Sequence, residues 1–178
     1  RDSSTSRGLG DVYKRQLILH LKPSDFPPLS LTLWQHILFR LLASFCGVFG
    51  FSVMFNSPKE LSATAGIIGA IANTLRLELV DLASLPPAAA AFIGALTAGI
   101  LASVLKSKIG YPRISLTVPS IVIMVPGLYL YRAIYNLGVM SLQTSASWFA
   151  AAILIILALP LGLIFARILT DKTFRYCT

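Results

Sequence analysis

Five stretches of this chain run for about twenty residues with few charges, and each ends in a short polar segment. They fall at about 33–55, 61–80, 87–105, 114–136 and 147–169. A helix needs ~20 mostly apolar residues to cross about 30 Å of hydrocarbon, so each is long enough to span a bilayer. The first opens on an interfacial Trp34 and carries Arg40 in its outer third, from which the guanidinium can snorkel toward headgroups. The second begins at "NSPKE", where Ser57 as N-cap, Pro58 at the first helical position and Glu60 three residues on form a capping box. The pattern predicts an all-α integral membrane bundle of about five transmembrane helices, the fourth broken by prolines. Short loops make sequential spans antiparallel neighbours.

The fourth stretch, "TVPSIVIMVPGLYLYRAIYN", is the unusual one. Pro119 and Pro126 lack an N–H, so the carbonyls of Ser115 and Val122 lose their helical partners, on nearly the same face. Lipid offers no replacement, so that face must meet protein or water, as in transporters that bind solutes at broken spans. Gly127 adds freedom to bend or lets another backbone approach. Arg132 can cluster with Tyr129 and Asn136 and hold a carboxylate by a bidentate pair, whereas Tyr131 and Tyr135 fit an aromatic belt better. On the second span Gly69, Asn73 and Arg76 share one helical face. That face either lines a polar path, or Arg76 only marks the membrane boundary with Glu78 and Asp81 around it. Small residues on two i, i+4 rows, Ser62, Gly66, Ala70 and Thr74 on the second span and Ala91, Ala95, Gly99 and Ser103 on the third, predict that these two spans pack against each other.

Composition agrees with the membrane reading. Of 178 residues 56% are hydrophobic and 12% charged, and the mean hydropathy is +0.77, beyond what a soluble core requires. The net charge of +8 sits at segment ends without interleaved aromatics, which is a topology signal and excludes a nucleic-acid footprint. With five crossings Lys59, Lys106, Lys108, Arg113, Arg167, Lys172 and Arg175 share one side, so the C-terminus is expected in the cytoplasm. Residues 1–16, "RDSSTSRGLGDVYKRQ", read as a disordered assembly artefact, 17–32 as a lead-in, 33–170 as the five-span domain and 171–178 as a short tail. The run "LILHL" is too brief for a secretory signal core. Cys46, Cys177, His20 and His36 have no ligand spacing, so no metal site is expected, and no cofactor motif is present. No paired carboxylates, nucleophile with a base, or phosphate loop appears, so the chain is not expected to be an enzyme.

Two segments, "GFSVMFNSPKELSATAGIIGAIANTLR" (50–76) and "YPRISLTVPSIVIMVPGLYLYRAI" (111–134), with the order of spans around them, carry a family resemblance. Over roughly 38–170 the chain resembles the threonine/serine exporter family, in particular its smaller integral-membrane subunit or the C-terminal half of fused ten-span members. The resemblance implies proton-driven secondary export of small carboxylate-bearing metabolites, threonine and serine first and four-carbon dicarboxylates as the alternative, across a bacterial inner membrane. It also implies a second integral-membrane exporter subunit as partner, and further copies of the chain are a possible association. Gly69, Asn73, Arg76, Pro119, Pro126, Gly127, Tyr129 and Arg132 are the substrate-path candidates, and Glu78 is the acid proposed for proton handling. Relatives carry a histidine where this chain has Asn73, in a "GHxxR"-like pattern, so a proton passing there in relatives takes another route here. The rival from another class is a membrane assembly protein that transports nothing.

Overall fold

The computed structural model describes residues 32–138 and 140–171, except the side chains of residues 107–109. The predicted artefact at 1–16, nearly all of the lead-in and all but the first residue of the tail lie outside the described residues, as do His20 and Cys177. Among the described residues six helices follow in order: α1 (Leu33–Met54), α2 (Lys59–Asp81), α3 (Pro87–Ile109), α4 (Arg113–Val122), α5 (Gly127–Gly138) and α6 (Leu142–Thr170). α1, α2, α3 and α6 are each long and apolar enough to cross a membrane. α6 begins earlier than its hydropathy suggests, because "SLQTSAS" is polar yet helical and Ser145 donates to the Ala133 carbonyl of α5 at 2.6 Å.

α4 and α5 together make the fifth crossing. Arg113 at the start of α4 reaches Thr170 at the end of α6 (3.4 Å), and near the other end Tyr129 of α5 packs edge-on against Trp148 of α6 (5.5 Å between centroids). The bonded pair Ser145 and Ala133 continues the same antiparallel ladder. From Ser145 to Thr170 a regular helix rises about 37 Å, more than the hydrocarbon thickness. A re-entrant loop would return to the side it entered, whereas this pair follows α6 from end to end.

Helix starts are simpler than the sequence suggests. The capping box at α2 does not form: Pro58, with ψ 148°, is itself the N-cap, and no side chain caps the first turn. Ser62 Oγ instead donates back to the Pro58 carbonyl at 3.1 Å, so the hydroxyl satisfies itself within the helix. At the other end of α3, Gly110 takes the left-handed φ of 75° and its N–H returns to the Lys106 carbonyl, closing the helix where a side chain would be strained.

The predicted pairing of small-residue rows is corrected in its partners. The row on α3 faces α6: a Cβ added at Gly162 would lie 2.5 Å from the Phe92 carbonyl and 2.8 Å from the Ala95 Cβ, and one at Gly99 would lie 2.5 Å from the Ala166 Cβ. Ser103 meets Thr170 at 3.0 Å along the same seam. The row on α2 turns at Gly66 toward Phe45 of α1. α2 and α3 do touch, but through Gly94, which the row did not include. Without a hydrophobic drive in lipid, helices associate where both surfaces are small, and α6 supplies Gly162 and Ala166 as the matching face.

Substituting Gly162 by Val should therefore destabilise the bundle by about 1–3 kcal/mol, because the obstacle is backbone and cannot rotate away. Gly50→Val, at a position where a Cβ meets nothing within 4 Å, serves as the control. Unfolding in mixed micelles with increasing dodecyl sulfate measures both, and equal midpoints would refute the close seam.

Candidate functional site

The backbone leaves helical geometry between Val122 and Gly127, and α4 and α5 are bent by 40° across this break. Local turns absorb part of the lost bonding: Met124 N–H donates to Ile121 (2.9 Å), Val125 N–H to Val122 (3.2 Å) and Gly127 N–H to Val125 (2.8 Å). The Val122 carbonyl, expected to lose its partner to Pro126, is thus taken by the Val125 N–H in a tighter turn. Pro119 lies inside α4, which continues through it. The carbonyl that turns outward is that of Met124, and Arg76 Nη1 of α2 donates to it at 3.0 Å. This is a strong bond, since the donor is charged and the medium excludes water.

Glycines let three helices converge on this bond. A Cβ at Gly94 of α3 would stand 3.2 Å from the Ala72 carbonyl and 3.3 Å from the Met124 sulfur, and the same position is 3.2 Å from Arg76 Cβ. Gly69 sits where α1, α2 and α4 meet, a Cβ there being 2.6 Å from Val48 and 3.1 Å from the Ser120 carbonyl. Ser120 Oγ donates to the Ala65 carbonyl at 3.0 Å and to its own helix at Leu116, tying α4 to α2 one turn before the break. Gly127, by contrast, meets nothing within 4 Å, so no backbone uses it for close approach.

Next to Arg76 on α2 lies a buried polar pair. Asn73 is 5% exposed and its Nδ2 donates to Ser44 Oγ of α1 at 2.8 Å. Asn73 Oδ1 and Thr74 Oγ1 are buried with no hydrogen-bond partner among the described residues, and so is Ser52 Oγ on α1. Buried polar atoms normally find partners, and in an apolar interior an unmet one is expensive, so these oxygens can accept from a polar ligand.

The other charges are placed apart from this layer. Arg40 does not snorkel: it bonds Glu78 Oε1 at 2.9 Å and also pairs with Asp81, so α1 neutralises the two acids at the C-terminal end of α2. Glu78 and Asp81 accordingly do not surround Arg76. Arg132 is exposed, with its guanidinium 4.8 Å from the ring centre of Trp148, and Tyr129 packs on the same ring. Asn136 donates to Arg132's backbone carbonyl, not to a shared ligand position. Tyr131 and Tyr135 stack on each other and face outward. The structure thus gathers Gly69, Asn73, Arg76 and Pro126 around the break, with Pro119 buried in the preceding turns and Tyr129 near Arg76 while its ring packs on Trp148, and places Arg132 over Trp148 and Glu78 against α1. Ser44, Gly94, Ser120 and the Met124 carbonyl were not anticipated. One signal existed: Arg40, Ser44, Val48 and Ser52 form an i, i+4 row, and its last three members are the buried residues of α1.

Residues 40–169 match the family model described as Threonine/Serine exporter, ThrE. The chain belongs to the threonine/serine exporter family. It is a multi-pass membrane protein of an exporter type, and the matched interval contains the residues at the break together with Arg40, Glu78 and Arg132. No curated protein and no solved structure matches the chain. Among the described residues no group of His, Cys, Asp or Glu is placed to hold a metal ion.

The Arg40 pairing makes a checkable statement about this exporter-family chain. Arg40→Gln leaves Glu78 half-buried without its cation and should destabilise the protein. Glu78→Gln made in that background should restore part of the loss, giving a coupling of about 1 kcal/mol in a double-mutant cycle. Strictly additive effects on micellar unfolding would show that the two side chains do not interact.

Proposed function

We propose that this chain exports small amino acids, threonine and serine above all, and that the substrate binds at the break in the fourth span. The observation that carries the reading is Arg76: a half-buried guanidinium that bonds a backbone carbonyl at the break and has no carboxylate partner among the described residues. A cation kept in a bundle interior without a counter-ion suits a site whose anion arrives with the ligand. The substrate carboxylate would take the remaining N–H groups of Arg76, and its ammonium or hydroxyl would donate to Asn73 Oδ1, three residues before Arg76 on the same face of α2. A substrate with such a donor meets an acceptor that is otherwise unsatisfied among the described residues. Arg132, exposed over Trp148, is left outside this assignment.

Export would be secondary and proton-driven, across a bacterial inner membrane, in a complex with a second integral-membrane subunit. Glu78 is the acid for proton handling in this scheme, since protonating it would remove one of the two ion pairs of Arg40 and leave the one to Asp81. Basic residues at the ends of α3 and α6 and the start of α4 support a cytoplasmic C-terminus by the bias of cytoplasmic loops toward Lys and Arg.

Co-expression with the partner subunit in an exporter-deficient strain, followed by efflux of preloaded threonine, tests the assignment. Arg76→Lys keeps a donor for Met124 but loses the planar fork, and should weaken apparent substrate affinity about tenfold with membrane insertion unchanged. Arg132→Gln should leave efflux within about twofold, as expected of an exposed side chain outside the site. Efflux no faster than from cells lacking the chain would refute the transport reading, and a normal Arg76→Lys variant would remove Arg76 from the site.

A further inference from the structure

A second cationic centre lies at the end of the bundle where α3 and α6 finish and α4 begins, a span's length from Trp148. Lys106 Nζ and Arg113 Nη1 each stand 3.7 Å from Asp171, and Arg167 Nε stands 3.8 Å from it. Three cations thus converge on one carboxylate, every contact longer than a hydrogen bond. Arg113 also touches Thr170 weakly, at 3.4 Å, while its Nη2 is buried with no hydrogen-bond partner among the described residues. Packing holds that atom in place, since it lies 3.2 Å from where a Cβ at Gly99 would be.

Beside these cations opens a cleft of about 460 Å³ between α4 and α6. Its charged mouth is formed by Lys106, Arg113, Arg167 and Asp171, and its apolar wall includes Ile114, Val118 and Ile164, all three exposed. Ile114 and Val118 are one turn apart on α4, so the wall runs from the charged end toward the middle of the bundle. A soluble anion would need the cations but not an apolar wall open to the surrounding hydrocarbon. A lipid with a negative headgroup needs both.

The geometry points to an anionic phospholipid as the occupant of this cleft. Its phosphate lies among Arg113, Lys106 and Arg167, and an acyl chain covers Ile114, Val118 and Ile164. Basic hollows between helix ends at the headgroup level are suited to such lipids by charge and by position. The assignment depends on the chain spanning a membrane and is independent of what it transports.

The test uses the full chain purified in dodecyl maltoside and titrated with dioleoyl phosphatidylglycerol or dioleoyl phosphatidylcholine, the bound lipid being counted by native mass spectrometry. One phosphatidylglycerol should be retained about tenfold more tightly than phosphatidylcholine. Arg113→Gln should erase the preference. Should that variant fail to fold, the double variant Lys106→Gln/Arg167→Gln, at the more exposed positions, should reduce it in the same way. Val118→Trp, which blocks the wall without altering charge, should lower retention of phosphatidylglycerol, and excess inorganic phosphate should not displace it. Equal retention of the two lipids, an undiminished preference in the charge variants, full retention by Val118→Trp, or displacement by phosphate would each overturn the assignment, the last pointing to a free-anion site.

Discussion

The bond from Arg76 to the Met124 carbonyl is the constraint around which this bundle is arranged. Lipid cannot hydrogen-bond a carbonyl, so a helix inside it opens only where a neighbouring element supplies a donor. Past the first turns of their helices, the described spans contain three prolines, Pro119, Pro126 and Pro160, and one break. Pro119 and Pro160 each remove a backbone donor, yet α4 and α6 continue through them. At Pro126 the backbone departs, and there α2 presents a guanidinium to the outward-turned carbonyl. A proline removes one bond, and whether the helix then opens depends on what stands opposite.

Helical geometry explains how α2 can carry Arg76, Glu78 and Asp81 within six residues and keep their roles apart. Positions two apart point about 200° from one another, so Arg76 and Glu78 lie on opposite faces, whereas Glu78 and Asp81 are three apart and share one. The acidic face meets Arg40 of α1, and the basic one meets the break. Were Arg76 paired with Glu78, the Met124 carbonyl would be left without its charged donor. Gly69 and Gly94 complete the arrangement by letting α1, α3 and α4 approach α2 closely.

Spans and their order were legible because hydropathy over twenty residues is a property of each segment alone. So was a break somewhere in the fourth span, since proline chemistry is local, but not that it opens at Pro126 and leaves Pro119 within a helix. What could not be read was which helix faces which. Ala95 and Gly99 fit a small face anywhere, and only the position of α6 decides that they meet Gly162 and Ala166. Arg40 has the look of a snorkelling charge until α2 is placed beside it with two carboxylates. The Ser57 capping box failed for a local reason: Pro58 took the cap position itself, and the Ser62 hydroxyl turned to its carbonyl. For the site, Asn73 and Arg76 were visible as one face of α2, but their counterparts are a backbone carbonyl and the Ser44 hydroxyl, and a carbonyl has no sequence signature at all.

The two cationic centres differ in what neutralises them, and this sets how each can bind an anion. At the basic end, Arg113 already faces the carboxylate of Asp171, so an incoming phosphate must share or displace a resident negative charge, and binding there gains from the additional cations of Lys106 and Arg167. At the break, Arg76 bonds a neutral carbonyl and, among the described residues, no carboxylate. A carbonyl orients the guanidinium without cancelling its charge, so an anion can bind the remaining N–H groups with no carboxylate to expel. The same carbonyl belongs to the non-helical stretch of the fourth span, so any shift of the arginine toward a ligand is felt where that backbone has no helical bonds to hold it. On the proposed reading, ligand binding and the geometry of the break would be joined through a single residue, which is the physical link a transporter needs between occupancy and the shape of its path.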